Sequence, residues 1–215
     1  MAPTDIEARP IRIYLIAPEG APDAPEHALK VAAEAGDIAA LLIPAPIANA
    51  PALIAAAQKA DIAVIAVDGV PVDGVDGVHV DGDFSRFAVL RRTMADAIVG
   101  IGGLARRDDG MTVAEAGADY VAFGRLASGD APLPLDTREG LLSWWQAVMT
   151  VPCVARAETE DEALALAEAG ADFVALAPDL WTGPDGADRV ARLTVQFAEI
   201  GARTAEPGAM LERVP

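Results

Sequence analysis

Little in this chain suits disulfide, nucleic-acid or membrane chemistry. Its 215 residues hold one cysteine, Cys153. No intrachain disulfide can form, and the apolar neighbours of that thiol point to a core position in a cytoplasmic protein. Basic residues number 16 against 33 acidic ones, a net charge of −17. Such a field repels nucleic acid and anionic membrane surfaces, so neither is an expected partner. Lysine is scarcer still. Only Lys30 and Lys59 occur, both in segments that read as helix, which leaves no strand lysine for Schiff-base chemistry. No apolar run approaches the roughly 20 residues needed to cross a bilayer. The start, Met1-Ala2-Pro3-Thr4-Asp5, carries an early acid and no long apolar stretch, so no signal peptide is expected. Aromatics make up 5% of the chain, and the core must therefore be built from Val, Ile, Leu and Ala.

What the chain does have is repetition. Ala-Glu-Ala-Gly-Ala-Asp-Tyr-Val-Ala at 114–122 returns as Ala-Glu-Ala-Gly-Ala-Asp-Phe-Val-Ala at 167–175, with a looser copy, Ala-Glu-Ala-Gly-Asp-Ile-Ala, at 33–39. Each copy reads as an alanine-rich helix, a glycine suited to the left-handed helix stop, and a buried parallel strand. Extending that grammar along the chain predicts strands at 11–17, 38–43, 62–67, 77–80, 97–101, 120–123, 152–155 and 173–176. Helices are predicted at 25–35, 50–60, 84–95, 108–116, 136–149, 159–169 and 187–200. Thr159 with Glu162 three residues later forms a capping-box signature. Eight strands alternating with helices predict one α/β domain, a single (β/α)8 TIM barrel over 11–201 with tails at 1–10 and 202–215. An open doubly wound sheet is the alternative should the short fourth strand be absent.

In such a barrel, function gathers where strands end. Asp68, Asp81 and Asp83 follow the third and fourth strands and could hold a Mg²⁺ ion, although Asp-Gly pairs also simply make turns. Arg106, Arg107, Arg125 and Arg156 follow strands five to seven and could frame an anion pocket. Equally, they could pair with Asp108, Asp109, Asp130 and Glu158 beside them. Gly102-Gly103 offers backbone amides to the same anion. His79, inside the fourth strand, reads as a core residue without an obvious partner, and His27 as a solvated one. Of Trp144-Trp145, one ring is expected on the barrel and the other against a loop or a second subunit, and a homodimer is one assembly compatible with that. Trp181 falls in a Gly/Pro-rich stretch at the mouth.

The run of strands resembles the thiamine phosphate synthase family, which includes TenI-type thiazole tautomerases. The resemblance spans roughly residues 12 to 177. It is carried by Ile13-Tyr14-Leu15-Ile16, Ala63-Val64-Ile65-Ala66-Val67-Asp68 and Val75-Asp76-Gly77-Val78-His79-Val80. Ile98-Val99-Gly100-Ile101, Gly117-Ala118-Asp119-Tyr120-Val121 and Val151-Pro152-Cys153-Val154-Ala155 complete it. It implies a barrel that joins a pyrimidine pyrophosphate to a thiazole phosphate with Mg²⁺ assisting, hence a small phosphorylated ligand and a role in thiamine biosynthesis. The chain departs from the family where that ligand would be gripped. Leu42-Ile43-Pro44-Ala45-Pro46 stands in place of a Gln-x-Arg-x-Lys run, and Val67-Asp68 in place of Asn-Asp. Arg125-Leu126-Ala127-Ser128-Gly129-Asp130 replaces a threonine-rich loop with a lysine, leaving Ser128 as its hydroxyl. Arg156-Ala157-Glu158 replaces an Ile-Gly-Gly phosphate cradle, adding side chains where amides would approach the anion. The resemblance therefore implies a family member with altered transferase chemistry. The competing expectation is a non-catalytic or regulatory barrel that binds a small anionic ligand.

Overall fold

The computed structural model describes residues 10–19, 25–44, 46, 50–68, 70, 72–127 and 133–204. Eight parallel strands close into a barrel in sequence order, with β1 (Arg12–Ile16) pairing both β2 (Ile38–Ile43) and β8 (Phe173–Leu176). Between them lie β3 (Ala63–Val67), β4 (Gly77–Asp81), β5 (Ile98–Leu104), β6 (Tyr120–Phe123) and β7 (Cys153–Ala157). Seven α-helices among the described residues pack outside: α1 (Pro25–Ala35), α2 (Ala50–Lys59), α3 (Phe84–Thr93), α4 (Arg107–Glu115), α5 (Leu135–Val148), α6 (Glu160–Glu168) and α7 (Gly186–Thr204). The (β/α)8 barrel expected from the repeats is the fold observed.

Strand side chains alternate between two cores, as the two-residue period of a strand requires. Ile13, Leu15, Leu41, Ile43, Val64, Val99, Ile101, Val121, Val174 and Leu176 are buried in the main cluster with helix residues such as Leu29, Leu53 and Phe197. Tyr14, Ile16, Leu42, Ile65, Tyr120, Ala122, Val154 and Ala175 form a second cluster inside the barrel. Burial on both faces explains why the strands read as unbroken apolar runs.

The repeated Gly-Ala-Asp carries a specific job. Asp119, just before β6, accepts a hydrogen bond from the amide of Val99 at 2.7 Å, and Asp172, just before β8, accepts from that of Cys153 at 2.8 Å. Asp76 does the same for Val64 at 2.7 Å. Each carboxylate thereby staples the start of one strand to the start of its neighbour, using the stronger class of hydrogen bond made to a charged acceptor. The glycines before two of these staples, Gly117 and Gly170, have φ of +91° and +103°, as a left-handed helix stop demands. Gly36 in the looser copy differs. Its φ is not positive, and a Cβ there would lie 2.2 Å from Thr194 Oγ1 and 2.8 Å from Val190 Cγ1. Close approach of α7, rather than backbone handedness, accounts for that glycine.

Several boundaries move relative to expectation. β5 runs three residues further, to Leu104, because the chain continues past an irregularity to pair Leu104 with Phe123. Gly102-Gly103 is thus part of a strand and not a loop. β7 likewise extends to Ala157 through pairing of Arg156 with Ala175 and of Ala157 with Leu176. α7 continues to Thr204. Only half of the expected capping box forms. Thr159 Oγ1 accepts from the amide of Glu162 at 3.1 Å, whereas the Glu162 carboxylate turns to the amide of Glu158 at 2.9 Å.

Candidate functional site

A polar chain runs through the barrel interior. His79 and Asp81, two residues apart on β4, point to the same inner face. Nε2 of His79 lies 3.0 Å from Asp81 Oδ1, and its Nδ1 lies 2.9 Å from the Tyr120 hydroxyl. That hydroxyl is 3.2 Å from the hydroxyl of Tyr14. The imidazole is nearly parallel to the Tyr120 ring, at an interplanar angle of 5° and a centroid distance of 5.6 Å. An ionised carboxylate only accepts, so Nε2–H donates to Asp81. With the ring neutral, Nδ1 accepts from the Tyr120 O–H, and the Tyr120 oxygen accepts from the Tyr14 O–H. Every member is then satisfied and the donors all run toward Asp81.

Two glycines of β5 make room for this chain. A Cβ on Gly100 would lie 2.1 Å from Tyr120 Cζ, and one on Gly102 would lie 2.4 Å from Asp81 Oδ1 and 2.8 Å from His79 Nε2. Burial raises the hydroxyl pKa of both Tyr14 and Tyr120 above 10.0. For Asp81, burial pushes the carboxyl upward, but the hydrogen bonds from His79 and from the amides of Ala127 and Leu126 outweigh it and hold the group below 3.8. His79 is fully buried and the Asp81 side chain is 7% exposed. The chain therefore fills and organises the barrel without presenting a reactive atom to solvent.

At the mouth, the segment after β6 is tied down from both sides. The amides of Leu126 and Ala127 donate to Asp81 at 3.3 and 2.9 Å. The carbonyl of Leu126 accepts from Arg156 Nη1 at 2.9 Å. Arg125 is exposed and reaches back to the Asp81 carbonyl at 3.3 Å. Arg156 is itself steadied by Glu158, at 2.7 Å from its Nε, and its carbonyl accepts from the buried Arg138. An open cleft of about 240 Å³ is lined by Arg156 with Ile16, Ala17, Glu19, Pro44 and Pro178. A larger groove of about 620 Å³ lies on the outer surface between α1 and α2, where Lys30, Lys59 and His27 sit over an alanine floor. We place the candidate site at the mouth, because the β-strand ends, the arginines and the polar chain meet there.

The expected site residues are distributed as follows. Of the three mouth aspartates, Asp68 is clamped by Arg86, with Nε and Nη2 at 2.5 and 2.8 Å. Asp83 is the N-cap of α3 and accepts from the amide of Arg86 at 2.8 Å. Asp81 belongs to the interior chain. Among the described residues no three His, Cys, Asp or Glu side chains come together as a metal-holding group. As placed, Asp68, Asp81 and Asp83 each accept from a protein donor, so a Mg²⁺ ion here would share those carboxylates with Arg86, His79 and the first amides of α3. Gly103, at φ +72°, spends its amide on Gly124 at 2.8 Å, and Gly102 supplies space in place of an anion contact. Arg106 is exposed and 3.8 Å from Asp108, and Arg107 lies 5.0 Å over the Trp144 ring. Of the arginines, Arg125 bonds to the Asp81 carbonyl and Arg156 to that of Leu126, whereas Arg106 and Arg107 lie beside Asp108 and the Trp144 ring. Ser128 lies outside the described residues.

Trp181 is buried in the main core cluster, its indole donating to the Ile16 carbonyl at 2.9 Å. Trp145 is buried on the barrel and Trp144 packs edgewise on it under Arg107, which accounts for the second ring within this chain. Cys153 is buried, and burial raises its thiol pKa well above 9.0, which makes it inert.

Sequence reasoning passed over Tyr14, Tyr120, Leu126 and Arg138. A usable signal existed for the tyrosines. The chain has only two, both at strand positions in register with inward residues, and His79 with Asp81 shows the i, i+2 spacing that puts two side chains on one face.

The chain resembles known proteins in sequence and in fold. Residues 13–180 match the family described as thiamine monophosphate synthase. The chain belongs to that family. It is 37% identical over 189 residues to a thiamine-phosphate synthase of Rhodospirillum centenum, covering 81% of this chain and 91% of that one. A thiamine-phosphate synthase of Hyphomonas neptunium is 34% identical over 200 residues, covering 81% and 88%. Among solved structures, thiamine phosphate pyrophosphorylase from Pyrococcus furiosus superposes with a TM-score of 0.70 at 18% identity, over 90% of this chain and 98% of that one. That likeness supports the barrel. Among the described residues no helix is long and apolar enough to cross a membrane.

Proposed function

We propose that this protein acts in thiamine biosynthesis as a barrel that binds a small phosphorylated ring compound at its mouth, with the metal-assisted transferase step weak or absent. Family membership and the two relatives named thiamine-phosphate synthase support the pathway. The observation that carries the rest is the commitment of Asp68, Asp81 and Asp83 to protein partners. Magnesium-assisted departure of diphosphate needs carboxylates that hold the ion and cations that hold the leaving group. Here the carboxylates already accept from Arg86, His79 and backbone amides, and a metal would compete with those donors.

Arg156 supports the binding half. Arg156 lines the cleft with Glu19 and four apolar residues, and its guanidinium is oriented by Glu158 and the Leu126 carbonyl. A planar guanidinium beside Ile16, Pro44 and Pro178 suits a ring that carries one anionic group.

The test is a turnover assay. Purified protein is given the pyrimidine pyrophosphate and the thiazole phosphate with millimolar Mg²⁺, and thiamine phosphate is measured. The expected rate lies far below the ordinary range of about 1–1,000 per second. Turnover within that range would refute the proposal.

A further inference from the structure

We propose that the outer groove between α1 and α2 is the self-association surface of this protein, filled by the same groove of a second copy across a two-fold axis. The surface lies apart from the barrel mouth and is independent of the ligand proposed above.

The groove follows from which residues each helix turns outward. α1 buries Leu29 and Ala32 toward the barrel, and α2 buries Leu53, Ile54 and Ala57. The outer side of the seam is left to Ala33, Ala52 and Ala56. Their methyl groups are too short to bridge it, and a groove of about 620 Å³ stays open. Long side chains on such an edge would cover the seam with their stems. An alanine floor instead lets another helix come close, near the short end of the usual interaxial range, about 8 Å.

Charge selects the occupant. The chain carries −17 overall, so most faces of one copy repel those of another. Arginines such as Arg12, Arg86 and Arg91 are paired within the chain, to Asp37, Asp68 and Asp119. The groove is different. Both lysines of the chain, Lys30 and Lys59, line it together with two glutamates, Glu26 and Glu34. These charges cancel, so two copies can meet here without net repulsion, while a strongly charged ligand gains no net attraction.

The arrangement is also self-complementary. Lys30 and Glu34 answer each other on α1 at 3.9 Å. Glu26 keeps one carboxylate oxygen buried without a hydrogen-bond partner, and Lys59 is exposed. Each helix returns from a strand end to the next parallel strand start, so α1 and α2 run side by side in one direction. Glu26 is the second residue of α1 and Lys59 the last of α2, which puts this acid and this base at opposite ends of the groove. A two-fold axis through the alanine floor turns one copy end for end and sets each Glu26 against the Lys59 of the other. An interface of that kind closes on itself as a dimer.

The test follows the mass of the full chain by analytical ultracentrifugation at micromolar concentration. Wild type should sediment at twice the 22.1 kDa of one chain, and a single-chain mass throughout would overturn the proposal. Ala56→Arg puts a long cation on the floor, and Lys59→Glu sets acid against acid. Each should weaken association by on the order of tenfold or more while keeping the wild-type circular dichroism. Lys59→Glu joined to Glu26→Lys exchanges the two signs and should recover most of that loss. A dimer indifferent to both single variants would seat the contact elsewhere and overturn the proposal. A folded double variant without recovery would overturn the two-fold pairing of Glu26 with Lys59. Should Ala56→Arg fail to fold, Lys59→Glu decides the same point from an exposed helix end.

Discussion

His79 Nε2 lies 3.0 Å from Asp81 Oδ1 inside the barrel, and neither side chain is reached by bulk solvent beyond the 7% exposure of the aspartate. This pair joins the two tyrosines of the core to the backbone that closes the mouth. Removing the donor of a hydrogen bond to a buried carboxylate leaves that acceptor short of a partner, at a cost of roughly 1–3 kcal/mol. His79→Ala should lower stability by about that amount, read as a shift in urea midpoint with an unchanged slope. A loss under about 1 kcal/mol would show that the chain contributes little to holding the barrel.

The same groups set the pH limits of the fold. Asp81 is held below 3.8 in the folded protein. The stability it contributes is present above about pH 4 and is lost as pH falls through its folded value, because the unfolded chain then binds more protons. Tyr14 and Tyr120 are raised above 10.0. Their contribution is complete below pH 10 and declines as pH rises beyond it, where the unfolded chain ionises first. Wild type should therefore lose stability at both extremes. Tyr14→Phe should flatten the alkaline limb, since it removes one raised hydroxyl while keeping the ring, and unfolding midpoints from pH 9 to 11 would show it. An alkaline limb identical to wild type would contradict the assignment.

Glycines separate by environment. Gly100→Ala should destabilise by overpacking, about 1–3 kcal/mol, because the new methyl would meet the Tyr120 ring at 2.1 Å. Gly140, exposed within α5, has nothing within 4 Å of the position a Cβ would take. Gly140→Ala should stabilise by about 0.5–1 kcal/mol through helix propensity. Thermal midpoints of the two variants should move in opposite directions, and parallel movement would sink the distinction.

These cases also show how far the sequence could be read. The barrel was legible because the Gly-Ala-Asp repeats mark the period, and Asp119 and Asp172 prove to be the staples behind that regularity. Strand ends were less legible. Arg156 and Gly102 read as loop because charge and glycine interrupt the apolar run, yet pairing with β8 and packing against His79 draw them into the sheet. The site was legible only as types of residue. Asp68, Asp81 and Asp83 stand close together in sequence, but strand alternation and capping send them to Arg86, His79 and the start of α3. Which carboxylate is spent on which donor depends on residues far apart in the chain, such as Tyr120 and Leu126, and periodicity does not encode that.

Metal-independent holding of a small anion by Arg156 is tested most directly by calorimetric titration of the thiazole phosphate. Wild type should bind in the presence of a chelator with an affinity that millimolar Mg²⁺ leaves unchanged. Arg156→Ala should weaken that binding by on the order of tenfold or more, as loss of a charge-assisted contact of about 1.5–3 kcal/mol requires. Binding that appears only with Mg²⁺, or that survives Arg156→Ala at wild-type strength, would contradict it.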